Sequence, residues 1–300
     1  MADNNILGDE ALMSQDEISF KEIIKFIWSE KITLSYFVLF FAIFSVIYSL
    51  SLNDIYSSEV TFSSTEQNEA LNTQGSGLAA LAGISNTSQG NKRDLGIKII
   101  KSLQFFEDFN NKYNVLPELM AIKSWDKATD TIRYDESTYD ESKDEWTDGS
   151  IPSIQESHKE FIRHITINQD SNTGFITMSV NHYSPHVAKK WADLILEEIN
   201  LKVKNQEIKK AERSIEFLEN EIKDTNNNKL IEDLYSLVLK EMETIMLANS
   251  SPEYVFTTID PAYSPERKSA PSRSLICIFG TILGAIIGFL VIFIRSIFKN

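Results

Sequence analysis

Three hundred residues with 29 Lys and Arg against 43 Asp and Glu carry a formal net charge of −14. Such a balance argues against nucleic acid or anionic lipid headgroups as partners. Cys277 is the only cysteine, so an intrachain disulfide is excluded and the compartment must be read from other features.

Residues 1–31 hold Asp3, Asp9, Glu10, Asp16 and Glu17, then Lys21, Lys25 and Lys31, ahead of an uncharged apolar run from Ile32 to Leu52, ITLSYFVLFFAIFSVIYSLSL. A second uncharged run, LICIFGTILGAIIGFLVIFI, extends from Leu275 to Ile294. At about 1.5 Å of rise per residue, each covers roughly 30 Å, the thickness of a bilayer's hydrocarbon core. Both read as membrane spans, 32–52 and 275–294. A cleaved secretory signal would begin with a short basic segment, whereas the first run follows a long acidic one, so it reads as an uncleaved anchor.

The lysines before the first span, and the lack of Lys or Arg from Asn53 to Asn91, place segment 1–31 in the cytoplasm by the positive-inside rule. Two spans return the tail 295–300, with Arg295 and Lys299, to the same side and leave 53–274 outside the cytoplasm. Arg267, Lys268 and Arg273 oppose the rule, but the first helix dominates orientation. The body carries 24 Lys and Arg against 36 Asp and Glu.

Within the body, Tyr56, Ser58, Val60 and Phe62 alternate with polar residues and predict a strand. A polar, small-residue loop follows, with a short apolar turn from Leu78 to Ile84. Ile99, Leu103, Phe106, Phe109 and Tyr113 predict one amphipathic helix over 95–113, stopped before Pro117. Ser124 to Ser150 is acidic and lacks an apolar period, and its carboxylates lack the spacing of a calcium loop, so it reads as a solvated insertion. Ile165 and Ile167, then Ile176, Met178 and Val180, alternate around NQDSNTG and predict a hairpin.

Ser184 supplies an N-cap and Pro185 fits the first helical position, which predicts a long helix over about 185–223. Its stripe of Ile208, Ala211, Ile215, Leu218 and Ile222 is spaced 3-4-3-4 and needs a partner helix. TNNN at 225–228 interrupts the pattern. Ile231, Leu234, Val238, Met242 and Ile245 then form a second stripe on a helix over about 229–248, which either returns antiparallel to the first or belongs to a longer helix packed on neighbouring chains. Tyr254 to Ile259 alternates again and leads through Pro261, Pro265 and Pro271 to Arg273 at the second span. The predicted fold is α+β: two transmembrane helices bracketing a membrane-proximal α/β base with a long projecting helical hairpin.

Chemistry is hard to find. His158, His164, His182 and His186 form no HExxH motif, and His182 and His186 straddle a helix start instead of sharing a face. No phosphate-binding G-x-x-x-x-G-K-[ST] occurs, and carboxylates are too plentiful to single out a catalytic pair. No catalytic, cofactor or metal residues are predicted. Gly280, Gly284 and Gly288 do make a doubled GxxxG stripe on the last helix, where another helix, from the same chain or a neighbour, approaches closely.

Several segments in order carry a resemblance: DEISFKEIIKFIWSEKITL before the first span, SGLAALAGI, IKSLQFFEDFNNKYNVLPELM, SNTGFITMSVNHYSPHVAKKWADLILEEIN and EYVFTTIDPAYSPERKSAPSRSLICIFGTILG. Together they resemble the Wzz-type chain-length determinants, the class 1 polysaccharide co-polymerases of bacterial inner membranes. One departure is Lys268, which stands near where the middle proline of that family's repeat is expected. The resemblance implies a non-catalytic homo-oligomer that regulates how many units a polymerase adds to a lipid-linked O-antigen or related polysaccharide. It implies as partners the polymerase, the growing lipid-linked chain and membrane lipid, with no cofactor. Related exopolysaccharide and capsule export proteins carry or recruit a tyrosine kinase with a Walker motif; its absence here favours the O-antigen type. A two-span sensor would need an output domain after the second span, and an anchored glycan hydrolase would need converging acid and base groups.

Overall fold

The computed structural model describes residues 28, 30–65, 89–147, 149 and 151–299. The readings on Lys21, Lys25 and the turn at Leu78 to Ile84 lie outside the described residues. Two compact units emerge: residues 1–53 with 270–300, and residues 54–269.

The first unit is built from two helices, α1 (Lys31–Ser51) and α8 (Arg273–Lys299). Both are long and apolar enough to cross a membrane. Tyr36, Phe40, Phe44 and Ile47 on α1, and Phe279, Ile282, Ile286 and Leu290 on α8, stay largely exposed. An apolar surface of that extent suits lipid and would be unstable in water.

The second unit is centred on a four-stranded antiparallel sheet of β1 (Tyr56–Ser64), β6 (Ile165–Gln169), β7 (Ile176–His182) and β8 (Phe256–Asp260), ordered β6-β7-β1-β8. The register sets Val60 opposite Met178 and Ile165 opposite Val180. Strict alternation along β7 buries Ile176, Met178, Val180 and His182 on one face, while Thr177, Ser179 and Asn181 are only half-buried on the other. One side of the sheet is therefore core and the other polar, as period-two patterning dictates. The strands at the two ends of the body, β1 and β8, pair directly.

Four helices cover the apolar face: α2 (Gln89–Ile100), α3 (Leu103–Tyr113), α5 (Ile154–His164) and the first half of α6 (Pro185–Asp224), with the short α4 (Leu116–Met120) beside them. Phe161 of α5 sits 5.0 Å from the Phe106 ring and 6.1 Å from the Trp191 ring, centroid to centroid. All three are completely buried, and each such side chain contributes about 1.5–3 kcal/mol.

The expected single helix over 95–113 is two helices. Ser102 breaks it, since its Oγ accepts the Phe105 N–H and starts a new helix in an extended N-cap conformation. The break rotates the face, so Phe105 is buried while the predicted Leu103 is 39% exposed. Helix α5 was not anticipated. Its signal is Ser153 followed at N3 by Glu156, whose N–H the Ser153 Oγ accepts.

The acidic insertion is also more ordered than its composition suggests. It forms two hairpins, β2 (Ile122–Asp126) with β3 (Thr131–Tyr134) and β4 (Tyr139–Asp140) with β5 (Glu145–Trp146). Strands of two to five residues are too short to show a period. The acids act as turn formers: Asp126, Asp135 and Asp140 each accept the backbone N–H two residues on. Tyr139, 5% exposed, packs between Tyr134 and Trp146.

Helix α6 is 40 residues long, roughly 60 Å at 1.5 Å per residue. Ser184 caps it by accepting the Val187 N–H, and Pro185 opens it. From Val187 to Val203 it packs on the sheet; beyond, it packs on α7 (Asn228–Ser250). The chain reverses at Thr225–Asn227, where Asn227 Oδ1 accepts the Lys229 and Leu230 N–H groups.

Candidate functional site

Each candidate group occupies a definite place. In α8, Gly284 lies so close to α1 that a Cβ there would come within 2.6 Å of Phe41 Cβ and 3.1 Å of the Phe37 carbonyl oxygen. Gly280 faces Ser45, and Gly288 faces Leu34 and Phe37. The order is antiparallel: the later glycine meets the earlier part of α1. All three therefore face span one of the same chain, and only hydrogen fits there without displacing a neighbour. The sequence reading missed the other half of this contact. Ser45 and Ser49, spaced by four, are 6% and 1% exposed, and Ser45 Oγ donates to the Ala42 carbonyl. A small-xxx-small pair inside span one was the available signal.

A leucine at position 284 is expected to weaken α1–α8 association by about 1–3 kcal/mol, the usual cost of overpacking. Particle size in detergent and surface-polysaccharide gels check this. An unchanged particle and an unchanged ladder would remove the glycines from the account.

The proline segment divides between the units. Pro261 is exposed and Pro265 half-buried, and around them the chain is tied back to the start of β1: Ser58 Oγ donates to the Tyr263 carbonyl at 2.7 Å, and the Ser269 N–H to the Ile55 carbonyl at 2.8 Å. Lys268, at the departure from the proline pattern, donates to Asp54 Oδ1 at 2.8 Å. Pro271 and Arg273, both half-buried, belong with the spans, and Arg273 opens α8.

The long-helix stripe faces α7. Ala211 and Leu218 are buried, with Ile208, Ile215 and Ile222 half-buried between them. On α7 the covered side is Ile231, Leu234, Val238, Ile245 and Ala248. Met242 does not belong to it and is 54% exposed. After Val238 the 3-4 spacing passes through Glu241 to Ile245, which turns Met242 outward.

Two polar knots set how α6 leaves the sheet, and neither was anticipated. Asn200, 4% exposed, accepts the Val255 and Phe256 N–H groups and donates to the Phe256 carbonyl, all at 2.9 Å. His182, 1% exposed, donates from Nε2 to the Glu118 carbonyl at 2.9 Å and accepts the Ser184 N–H at Nδ1, 3.0 Å away. Burial, with His164 nearby, pushes His182 down to about 4. The Glu118 carboxylate accepts from Trp191 Nε1 at 2.9 Å and Lys190 Nζ at 3.1 Å, which fastens α4 to the start of α6.

Of the remaining histidines, His164 lies 6.1 Å from His182, ring to ring, and the other two stand apart. His158 Nε2 meets the Lys101 carbonyl, His164 Nδ1 the Glu160 carbonyl, and exposed His186 lies 3.4 Å from Asp130. Among the described residues, no three His, Cys, Asp or Glu side chains gather as metal ligands. An open cleft of about 900 Å³ in the insertion is lined by Lys123, Arg133, Asp135 and Asp140. Hydrogen bonds from Ser137 hold Asp135 below the usual carboxylate range, and those from Ser142 and Lys143 push Asp140 down to about 2. A general acid needs the opposite shift.

Comparison with known proteins adds two family models. Residues 16–112 match the model described as Wzz, chain length determinant protein, and residues 220–297 match GNVR, the G-rich domain on putative tyrosine kinase. No curated protein matches. Among solved structures, a full-length bacterial polysaccharide co-polymerase is similar at 10% identity and a TM-score of 0.41, over 93% of this chain and 98% of that one. A fragment of WzzB, polysaccharide co-polymerase from Salmonella Typhimurium, is similar at 10% identity and a TM-score of 0.31, over 73% of this chain and all of that one.

Proposed function

We propose that the chain, whose residues 16–112 match the chain length determinant model, is a Wzz-type chain-length determinant: a non-catalytic, oligomeric scaffold in the bacterial inner membrane, regulating how long an O-antigen or related surface polysaccharide grows before transfer. The observation that carries this reading is architectural. Two uninterrupted apolar helices bracket one α+β body, and the chain-length family model runs through the first of them. Both termini are cytoplasmic and the body is periplasmic. Packed copies fix the size of a ring, and that ring sets how long the polymerase and the lipid-linked chain stay together. Gly280, Gly284 and Gly288 hold the anchors together, and the stripe on α6 keeps its hairpin rigid.

Deletion of the encoding sequence followed by a gel of surface polysaccharide tests the proposal. The expected result is loss of a modal length with repeat units still polymerised. An unaltered length distribution would overturn it.

A second reading is favoured by the match of residues 220–297 to a domain described on putative tyrosine kinases. In it the chain serves exopolysaccharide or capsule export together with a separate kinase. Deletion would then abolish surface polymer altogether, and a tyrosine-phosphorylated kinase would co-purify with the chain.

A further inference from the structure

The α6–α7 hairpin leaves two outward faces of different chemistry. On α7, Tyr235, Leu239, Met242 and Met246 recur at four, three and four residues and are 54%, 66%, 54% and 65% exposed. This is a second apolar stripe with heptad spacing, separate from the one covered by α6, and such a stripe fits another helix. Glu243 borders it and is exposed. On α6, the side turned away from α7 carries Phe217, 63% exposed, with Lys209, Lys210 and Arg213 exposed around and below it.

These faces correspond in height. Phe217 and Tyr235 stand equally far along the chain from Asn226 at the turn, as do Lys209 and Glu243 and also Arg213 and Leu239. Copies related by rotation about an axis that runs along the hairpin keep every residue at its own height. The α7 stripe of one copy therefore meets, on a neighbour's α6, an aromatic ring level with Tyr235 and cations level with Glu243. Pairing the stripe with itself about a twofold axis would instead set Glu243 against Glu243, a like-charge contact. Toward the turn both faces are acidic, with Glu216 and Glu221 on α6 and Glu232 on α7, so the charge match lies in the half of the hairpin away from the turn.

We propose that subunits join head to tail through these faces, with Tyr235, Leu239, Met242 and Met246 of one copy seated on Phe217 and the Lys209–Lys210–Arg213 cluster of the next. The inference rests on the scaffold reading above and gives it a polarity: a heterologous contact that closes makes a ring, whereas an isologous one stops at a dimer.

The test uses the full chain in bacterial membranes with Cys277→Ser as background. One version carries Phe217→Cys and one tag, the other Tyr235→Cys and a second tag, and both are co-expressed and oxidised. The expected result is a mixed dimer bearing both tags, with no cross-link when Tyr235→Cys is expressed alone. In cysteine-free chains, Glu243→Lys should lower the oligomeric fraction roughly fivefold, and Lys209→Glu with Lys210→Glu in the same chain should restore it. Cross-linking of Tyr235→Cys to itself would overturn the proposal. So would the absence of a mixed dimer from particles that remain oligomeric and keep their polysaccharide ladder, in which case the scaffold reading stands and only this interface falls. A parent chain that is monomeric in membranes would overturn both.

Discussion

Replacing Asn200 with Ala is expected to destabilise the body by about 3–5 kcal/mol, because three buried backbone groups lose a side-chain partner at once. The two N–H groups of Val255 and Phe256 and the Phe256 carbonyl meet this single amide inside the protein, between α6 and the start of β8. No water replaces an amide at a residue 4% exposed without opening the packing around it. The loss corresponds to a fall of about 10 °C in the unfolding midpoint for a body of this size, measured by thermal scan of the full chain in detergent. Asn200→Asp separates the contributions. It keeps an acceptor for both N–H groups but loses the donation to the Phe256 carbonyl, so it should fall between the parent and the alanine variant. A midpoint for Asn200→Ala within 2 °C of the parent, about 0.5–1 kcal/mol, would show that β8 is held by its pairing with β1 alone. Because β8 follows directly from the hairpin's return, the same amide sets the angle at which α6 and α7 leave the sheet. Asn200→Ala should therefore also broaden the polysaccharide length distribution at temperatures where the fold persists.

What could be read from residues alone followed the range of the interactions involved. The spans need only composition and length, and the sheet strands β1, β6 and β7 announce themselves by alternation because one face of the sheet is core and the other polar. The start of α6 was legible because capping is local: Ser184 and Pro185 are neighbours, and the capped N–H belongs to Val187. Ser102 is capping of the same kind, but it sits inside an apolar period that continues across it, so periodicity masked the break. Helix α5 was hidden for the opposite reason, since Phe161 is its only fully buried apolar side chain, Ile162 is partly buried, Ile154 is 37% exposed and the rest are polar. The insertion is held by aromatic contacts among Tyr134, Tyr139 and Trp146, by the Trp125 ring against Tyr56 of β1 and by aspartate turns, none of which needs a repeating apolar pattern. Asn200 and His182 were beyond reach in principle. Each satisfies backbone groups brought close only by the finished fold, 55 residues away for Asn200 and Val255 and 64 for His182 and Glu118.

Acidification is expected to weaken the body through His182 well before its carboxylates protonate. Its ring donates from Nε2 to the Glu118 carbonyl and accepts the Ser184 N–H at Nδ1, a pattern only the neutral imidazole satisfies. A second proton on Nδ1 would set N–H against N–H at the corner where β7 turns into α6. Beside it stand Trp191, with ring centroids 5.2 Å apart, and His164, 6.1 Å away, and neither accepts that proton. Burial holds the folded ring down to about 4, while the unfolded chain binds its proton near 6.5. Above pH 6.5 both states are neutral and the ring has no effect on stability. As pH falls below 6.5 the unfolded state gains a proton that the folded state refuses, and stability drops until the folded ring protonates near 4. The full difference is about 3 kcal/mol, of which about 2 kcal/mol is lost by pH 5. Carboxylates held low in the fold, Asp108 beside Lys202 among them, act only at still lower pH, where unfolded carboxyl groups protonate. Denaturant unfolding of the full chain at pH 7 and pH 5 measures the effect, with His182→Gln as the comparison. The glutamine variant should start less stable at pH 7 yet lose far less on moving to pH 5. Equal losses in parent and variant would assign the acid sensitivity to other groups, and no loss in the parent would mean that the corner accommodates a charged ring.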